Sequence, residues 1–220
     1  MINLDIISDP ICPWCYIGKA RLNQALEAAS DHPFEINWRP FQLNPDMPAD
    51  GMDRRDYLEH KFGKERAVSF YMQIAEAAEA AGLEVHFEKI KRTPNTLDAH
   101  RMIRWARPEG CQTPLVNSLF RRYFADGEDI SDHAVLIEAA GEVGMDADLA
   151  ARLLKTDNDL DDIRAEDKGF REMGVQGVPC FVIGGKYVVN GAQDAQLWTQ
   201  VIADIKEQEN AGGGTLSQTS

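Results

Sequence analysis

The tetrapeptide Cys12-Pro13-Trp14-Cys15 stands where a short apolar run meets an amphipathic stretch. Ile2, Leu4, Ile6 and Ile7 read as a strand that begins almost at the first residue. Beyond the cysteines, Leu22, Ala25, Leu26 and Ala29 recur at i, i+3, i+4 and i+7, one face of a helix. The chain must therefore leave a strand and enter a helix at the point where it carries two thiols. A cysteine at the first turn of a helix faces unpaired backbone N–H groups and the positive end of the helix dipole. Both favour thiolate, so Cys12 is expected to ionise below the roughly 8.5 of a free cysteine. Cys15, three residues on, shares that side of the helix and can attack a mixed disulfide formed on Cys12.

Two plainer uses of the pair fit less well. A C-x-x-C is half of a zinc site, but it needs a second pair or a histidine pair at compact spacing. Cys111 and Cys180 are isolated and far apart, so no metal is expected. A structural disulfide between residues so close in sequence would close a very small loop and constrain the unfolded chain little.

A formal charge of -13 on 220 residues argues against nucleic acid and anionic membrane surfaces as partners. No stretch approaches the roughly 20 apolar residues of a membrane span. The first residues lack the basic n-region of a signal peptide and carry Asp5 and Asp9 within the apolar run. The expectation is a cytoplasmic protein whose four cysteines are kept reduced. A Cys12–Cys15 disulfide there would be transient and catalytic.

A second strand follows the first helix at Phe34, Ile36 and Trp38, with Phe41 and Leu43 at its end, before a polar loop at Pro45 and Pro48. From about residue 53 to 173 the pattern is almost entirely helical. Gly82 is placed as a stop after the stripe Ala67 to Ala81, Asn95 as a cap, Thr113-Pro114 as an N-cap and first helical residue, and Ser131 as another start. One further helix is read up to Met173 and Gly174. The period then changes: Phe181 to Ile183 and Tyr187 to Val189 flank Gly184-Gly185 as a hairpin, and Leu197, Trp198, Val201, Ile202 and Ile205 mark a last helix. Residues 209–220 are expected to be disordered.

With the helical block set aside, the order is β-α-β, α, β-β-α, the thioredoxin order. The fold class is therefore α/β, a thioredoxin fold with a large all-helical domain inserted after the second strand. The expected boundaries are 1–48 and 158–208 for the thioredoxin-like domain and 49–157 for the insertion. That fold asks for a cis-proline before the hairpin, and Pro179 in Gly177-Val178-Pro179 stands in its place. There the backbone of Val178 would face the cysteines and pair with an extended substrate. Trp14, held in a short loop, is expected to form part of the substrate platform beside Pro13.

Ser8-Asp9-Pro10-Ile11-Cys12-Pro13-Trp14-Cys15-Tyr16-Ile17-Gly18 resembles the active-site segment of DsbA-like oxidoreductases of the FrnE group. So do Asn95 to Arg101, Asp129 to Asp132, Gly177 to Pro179 and Gly191 to Gln193. The resemblance spans nearly the whole chain apart from the tail. It implies dithiol–disulfide chemistry on protein or small-thiol substrates, with Cys12 attacking, Cys15 resolving and no bound cofactor, glutathione being admitted as co-substrate. The related 2-hydroxychromene-2-carboxylate isomerases and kappa-class glutathione transferases supply the alternative, a glutathione-dependent isomerase or transferase acting on a small aromatic substrate between the domains. They usually carry serine where Cys12 stands. Thioredoxins hold a buried carboxylate six residues before the first cysteine; Ile6 occupies that position, which leaves Asp9 or a water as the proton acceptor. His100 is a substrate-lining candidate on the resemblance. Cys180 is either a small core residue, the expected orientation, or a third thiol near the pair.

Overall fold

The computed structural model describes residues 1–29 and 31–212, apart from the side chains of 64–68, 70 and 209–212. Strand β1 (Ile2–Ser8) is the central element, parallel to β2 (Phe34–Pro40) on one side and antiparallel to β5 (Cys180–Ile183) on the other. Strand β6 (Tyr187–Asn190) adds to β5 through the Gly184-Gly185 turn, which gives the order β2-β1-β5-β6. The register leaves three residues, Gly184 to Lys186, between the strands; both glycines have positive φ, and the Lys186 amide donates to the Ile183 carbonyl.

Successive side chains of a strand point to opposite faces, and that alternation divides the core. Leu4, Ile6 and Phe181 face α1 (Pro13–Ala28) and α9 (Ala195–Gly212), which contribute Leu22, Leu26, Trp198 and Ile202. Ile7 and its register partner Cys180 face the other way, with Phe41, against Phe170 of α8 (Leu160–Glu172) and Val175. Helix α9 runs past the expected start of the tail at 209; residues 213–220 lie outside the described residues.

The helical block is less simple than its pattern. It contains α2 (Arg54–Phe62), α3 (Lys64–Ala80), α4 (Leu97–Ala106), α5 (Gln112–Arg121), α6 (His133–Glu142) and α7 (Ala147–Leu154). A two-residue ribbon, β3 (Met52–Asp53) against β4 (Arg92–Thr93), ties the start of the block to the segment between α3 and α4; elements so short leave no periodicity to read. Gly82 and Gly144 stop their helices at positive φ, as expected. The starts differ. Thr113 and Pro114 lie inside the first turn of α5, where a missing N–H costs nothing, and the Thr113 hydroxyl accepts instead from Trp38 Nε1 at 2.9 Å. Asp132, not Ser131, caps α6 by accepting from the Ala134 amide. Asn95 accepts from the Leu97 amide one residue ahead of the cap position. The single helix read before Met173 is two, α7 and α8, joined by a loop that Arg101 closes by donating to the carbonyls of Leu153, Thr156 and Asn158.

The block shares its apolar core with the sheet. Tyr16 of α1 stacks on Phe120 and Phe124 at centroid distances of 5.1 and 5.5 Å. Gln112 lies along the β2 edge, its amide accepting from the Trp38 N–H and donating to the Trp38 carbonyl. A side chain thus covers an edge that would otherwise offer unpaired backbone.

Candidate active site

Ser8 ends β1, a turn follows, and the Cys12 amide donates to the Asp9 carbonyl at 2.9 Å. Cys12 then stands at the N-cap of α1 with extended φ and ψ, its carbonyl accepting from the amides of Cys15 and Tyr16. Pro13 occupies the first helical turn, where its lack of an N–H is harmless. Short range chemistry alone therefore places both sulfurs at one helix start.

The helix start does not bare the first cysteine as widely as expected. Cys12 is only 3% exposed, and its Sγ donates to the Val178 carbonyl at 3.6 Å. It is reached through a cleft of about 210 Å³, lined on the thioredoxin-like side by Ile11, Cys12, Pro13, Trp14 and Val178. Arg54, Tyr57 and Leu58 of α2 and Tyr71 and Ile74 of α3 form the opposite wall. The Val178–Pro179 peptide is cis. Pro179 is buried behind the cleft against Gly18 of α1; a Cβ on Gly18 would lie 3.0 Å from Pro179 Cγ and 3.3 Å from the Ala192 backbone. Only glycine lets the loop seat this closely.

Cys15 is 1% exposed and sits behind Cys12. Burial pushes its thiol well above the usual range, helped by the neighbouring Cys12 sulfur. The Ser8 hydroxyl and the Asp9 amide oppose that rise by hydrogen bonding to the sulfur. Ser8 is thus a site residue that sequence reasoning passed over; it lay inside the quoted motif without a role. Among the described residues, no group of three or more His, Cys, Asp or Glu side chains is gathered as a metal would need.

The accessory candidates lie elsewhere than expected. The Asp9 carboxyl turns away from Cys15: Oδ2 accepts from the Leu43 amide at 2.7 Å and Oδ1 from the Ile11 amide at 3.4 Å. Burial pushes its pKa up to about 7 against those hydrogen bonds and that of Thr96. His100 Nε2 approaches Asp9 Oδ1 at 3.8 Å and has no hydrogen-bond partner. At 2% exposure the ring is held neutral, its pKa pushed down by burial to about 4. It borders a separate cavity beside Arg39 and Arg104, so the expected place in the Cys12 cleft is corrected. Its spacing on α4 turns it beneath the site instead.

Cys180 is 1% exposed on the sheet face opposite Cys12 and Cys15, and burial pushes its thiol up. In the reduced native protein iodoacetamide should modify Cys12 first and Cys180 only after denaturant is added. Peptide mapping over time checks this. Rapid native labelling of Cys180, or its disulfide to either member of the pair, would overturn the orientation.

The description DSBA-like thioredoxin domain matches residues 3–203. The protein YwbO of Bacillus subtilis (strain 168) is 25% identical over 209 residues, covering 94% of this chain and 99% of its own. A probable DsbA oxidoreductase from Streptomyces coelicolor superposes with a TM-score of 0.82 at 30% identity, covering 100% of this chain and 94% of that one. The cytosolic disulfide reductase DsbM from Pseudomonas aeruginosa, solved with GSH, superposes with a TM-score of 0.68 at 15% identity over 93% of this chain and 99% of its own, a likeness of fold. No helix among the described residues is long and apolar enough to cross a membrane. With a match that runs from the third residue to the middle of α9, through the cysteine pair and the Val178–Pro179 loop, the chain belongs to the DSBA-like thioredoxin domain family.

Proposed function

We propose that this chain is a thiol–disulfide oxidoreductase acting through Cys12 and Cys15. One observation carries the reading: two free thiols three residues apart at the first turn of α1, one lining an apolar cleft and the other sealed behind it. In the reducing direction the Cys12 thiolate attacks one sulfur of a disulfide, the S–S bond breaks, and the other half departs as a thiolate. Cys15 then loses its proton and attacks the Cys12 sulfur. The second thiol leaves, and the protein holds a Cys12–Cys15 disulfide. Two electrons have passed to the substrate, and two molecules of a thiol such as glutathione restore the dithiol. Run backward, the same steps oxidise a substrate dithiol.

The Val178 carbonyl, already an acceptor for Cys12, is the backbone group a substrate strand would pair with. Trp14 and Pro13 supply its apolar platform. The Ser8 hydroxyl and the Asp9 amide donate to the Cys15 sulfur and stabilise the thiolate left when the resolving thiol gives its proton to water, with Asp9 acting through its amide and not its carboxyl. A glutathione-dependent isomerase or transferase would have no use for Cys15. Four free thiols fit a reducing compartment, and DsbM, solved with GSH, supports glutathione as a partner for the pair.

Equilibration against mixtures of reduced and oxidised glutathione tests the reading. A two-electron transition confined to Cys12 and Cys15, followed by mass mapping, is expected. A midpoint near the roughly −270 mV of thioredoxin would make the protein a reductant, and one near the roughly −120 mV of DsbA an oxidant. Failure of the pair to form a disulfide at any ratio would refute it.

A further inference from the structure

The cleft that Cys12 lines carries two cations: Lys61, whose Nζ donates to Asn44 Oδ1 and the Tyr57 hydroxyl, and Arg54, whose set of partners is unusual. Arg39, Arg101, Arg104, Arg121, Arg122 and Arg171 each lie against a carboxylate. Arg54, at the start of α2, has no carboxylate within ion-pair distance among the described residues. Its Nη1 donates to the Thr93 hydroxyl at 3.1 Å and the Tyr123 hydroxyl at 3.4 Å. Its guanidinium lies 5.7 Å from the ring centroids of both Tyr57 and Tyr71. These contacts fix the plane of the group and leave donors over. Nε is buried without a hydrogen-bond partner, and the guanidinium also donates to the Tyr71 hydroxyl.

The unused donors are chemically specific. The guanidinium carries five N–H donors against the three hydroxyls of Thr93, Tyr123 and Tyr71, and a carboxylate is the partner that suits the donors left over. A half-buried cation with unused donors is costly unless an anion completes it. In a chain carrying a net charge of -13, such a group in the cleft that Cys12 lines, with Lys61 beside it, also selects by sign, because the surface as a whole repels anions. A cleft of about 210 Å³ is smaller than the roughly 300–1,000 Å³ of sites that enclose a whole drug-sized ligand. It suits the portion of a substrate next to its sulfur.

We propose that Arg54 is the anion-binding point of the cleft, taking a carboxylate carried close to the sulfur of a small disulfide or thiol that meets Cys12. The assignment names the substrate class for the proposed exchange and rests on that reading only for its physiological meaning. The anion subsite itself is testable without turnover.

Iodoacetate and iodoacetamide have nearly the same shape and differ by one negative charge. Each alkylates a thiolate by forming a C–S bond and expelling iodide. Their rate ratio at Cys12, read by peptide mapping, should fall about tenfold in Arg54→Gln relative to the unchanged protein, and Arg54→Lys should keep most of it. Raising salt should lower the ratio where Arg54 is present. An equal ratio in the unchanged protein and Arg54→Gln, or failure of both reagents to reach Cys12, would overturn the proposal.

A second arm compares 3,3′-dithiodipropionate with the neutral 2-hydroxyethyl disulfide. The kcat/KM preference for the dianion should drop about 10- to 100-fold in Arg54→Gln, mainly through KM. If neither disulfide oxidises the Cys12–Cys15 pair while the alkylation ratio still follows Arg54, the exchange reading fails and the anion subsite stands. If both disulfides react with no dependence on Arg54, the reverse holds.

Discussion

Cys12→Ser is expected to bring disulfide exchange to background, a loss on the order of 10⁴-fold or more, because a serine hydroxyl cannot stand in for a thiolate nucleophile. Cys15→Ser should behave differently. The attack by Cys12 survives, but the group that resolves the mixed disulfide is gone. The substrate should then remain attached, visible as a covalent adduct on the Cys12 peptide by mass spectrometry and released by an external thiol. Exposure sharpens the contrast, since Cys15 is almost sealed and an incoming disulfide meets only Cys12 in the cleft. Equal activity in the parent and both variants would end the oxidoreductase reading. An adduct on Cys15 in Cys12→Ser would invert the two roles.

What could be read from residues alone divides along the range of the interactions involved. The β1–α1 junction, the Gly184-Gly185 hairpin and the glycine stops at Gly82 and Gly144 are local: each depends on a dozen residues or fewer, and each appears where the pattern put it. The cysteine pair and the Val178–Pro179 loop belong to the same class once the strand order is recognised. The helix starts at Gln112 and His133 were misplaced because Thr113 and Ser131 look like caps, and Thr113 is committed to Trp38, 75 positions away. Periodicity carries no trace of such a contact. The Asp9 carboxyl and His100 show the same limit. Sequence puts Asp9 beside the motif and only the family resemblance puts His100 in the site, but whether a carboxyl faces Cys15 or the Leu43 amide is decided by where the loop after β2 returns. Arg54 carried no motif at all. Its character comes from what is missing around it, and that appears only in three dimensions.

The largest stability effect is expected at Asp9. Its carboxyl is completely buried, and its pKa rises from the ordinary 3.8 to about 7. The folded protein therefore keeps a proton there that the unfolded chain releases near pH 4. Between those values the native state binds more protons than the unfolded one, so its stability falls as pH rises. The contribution is complete below about pH 4 and gone above about pH 7. That rise corresponds to something on the order of 4 kcal/mol. His100 works in the opposite direction: its pKa is pushed down to about 4, so its contribution is present above the ordinary 6.5 and lost as pH falls through 4. The two trends offset one another in the whole protein, which makes the raw pH profile uninformative. Asp9→Asn separates them. The variant keeps the side-chain shape and carries no titrating proton, while His100 still titrates in both proteins. The stability of the parent minus that of Asp9→Asn, from urea unfolding between pH 4 and pH 8, should fall by about 4 kcal/mol and favour the variant at the alkaline end. The position of His100 Nε2, 3.8 Å from Oδ1, limits that fall, since an ionised Asp9 draws a proton onto a ring nitrogen with no other partner. A difference that stays level across the range would mean that Asp9 is already ionised in the folded protein, held as an anion by the Ile11 and Leu43 amides and by Thr96.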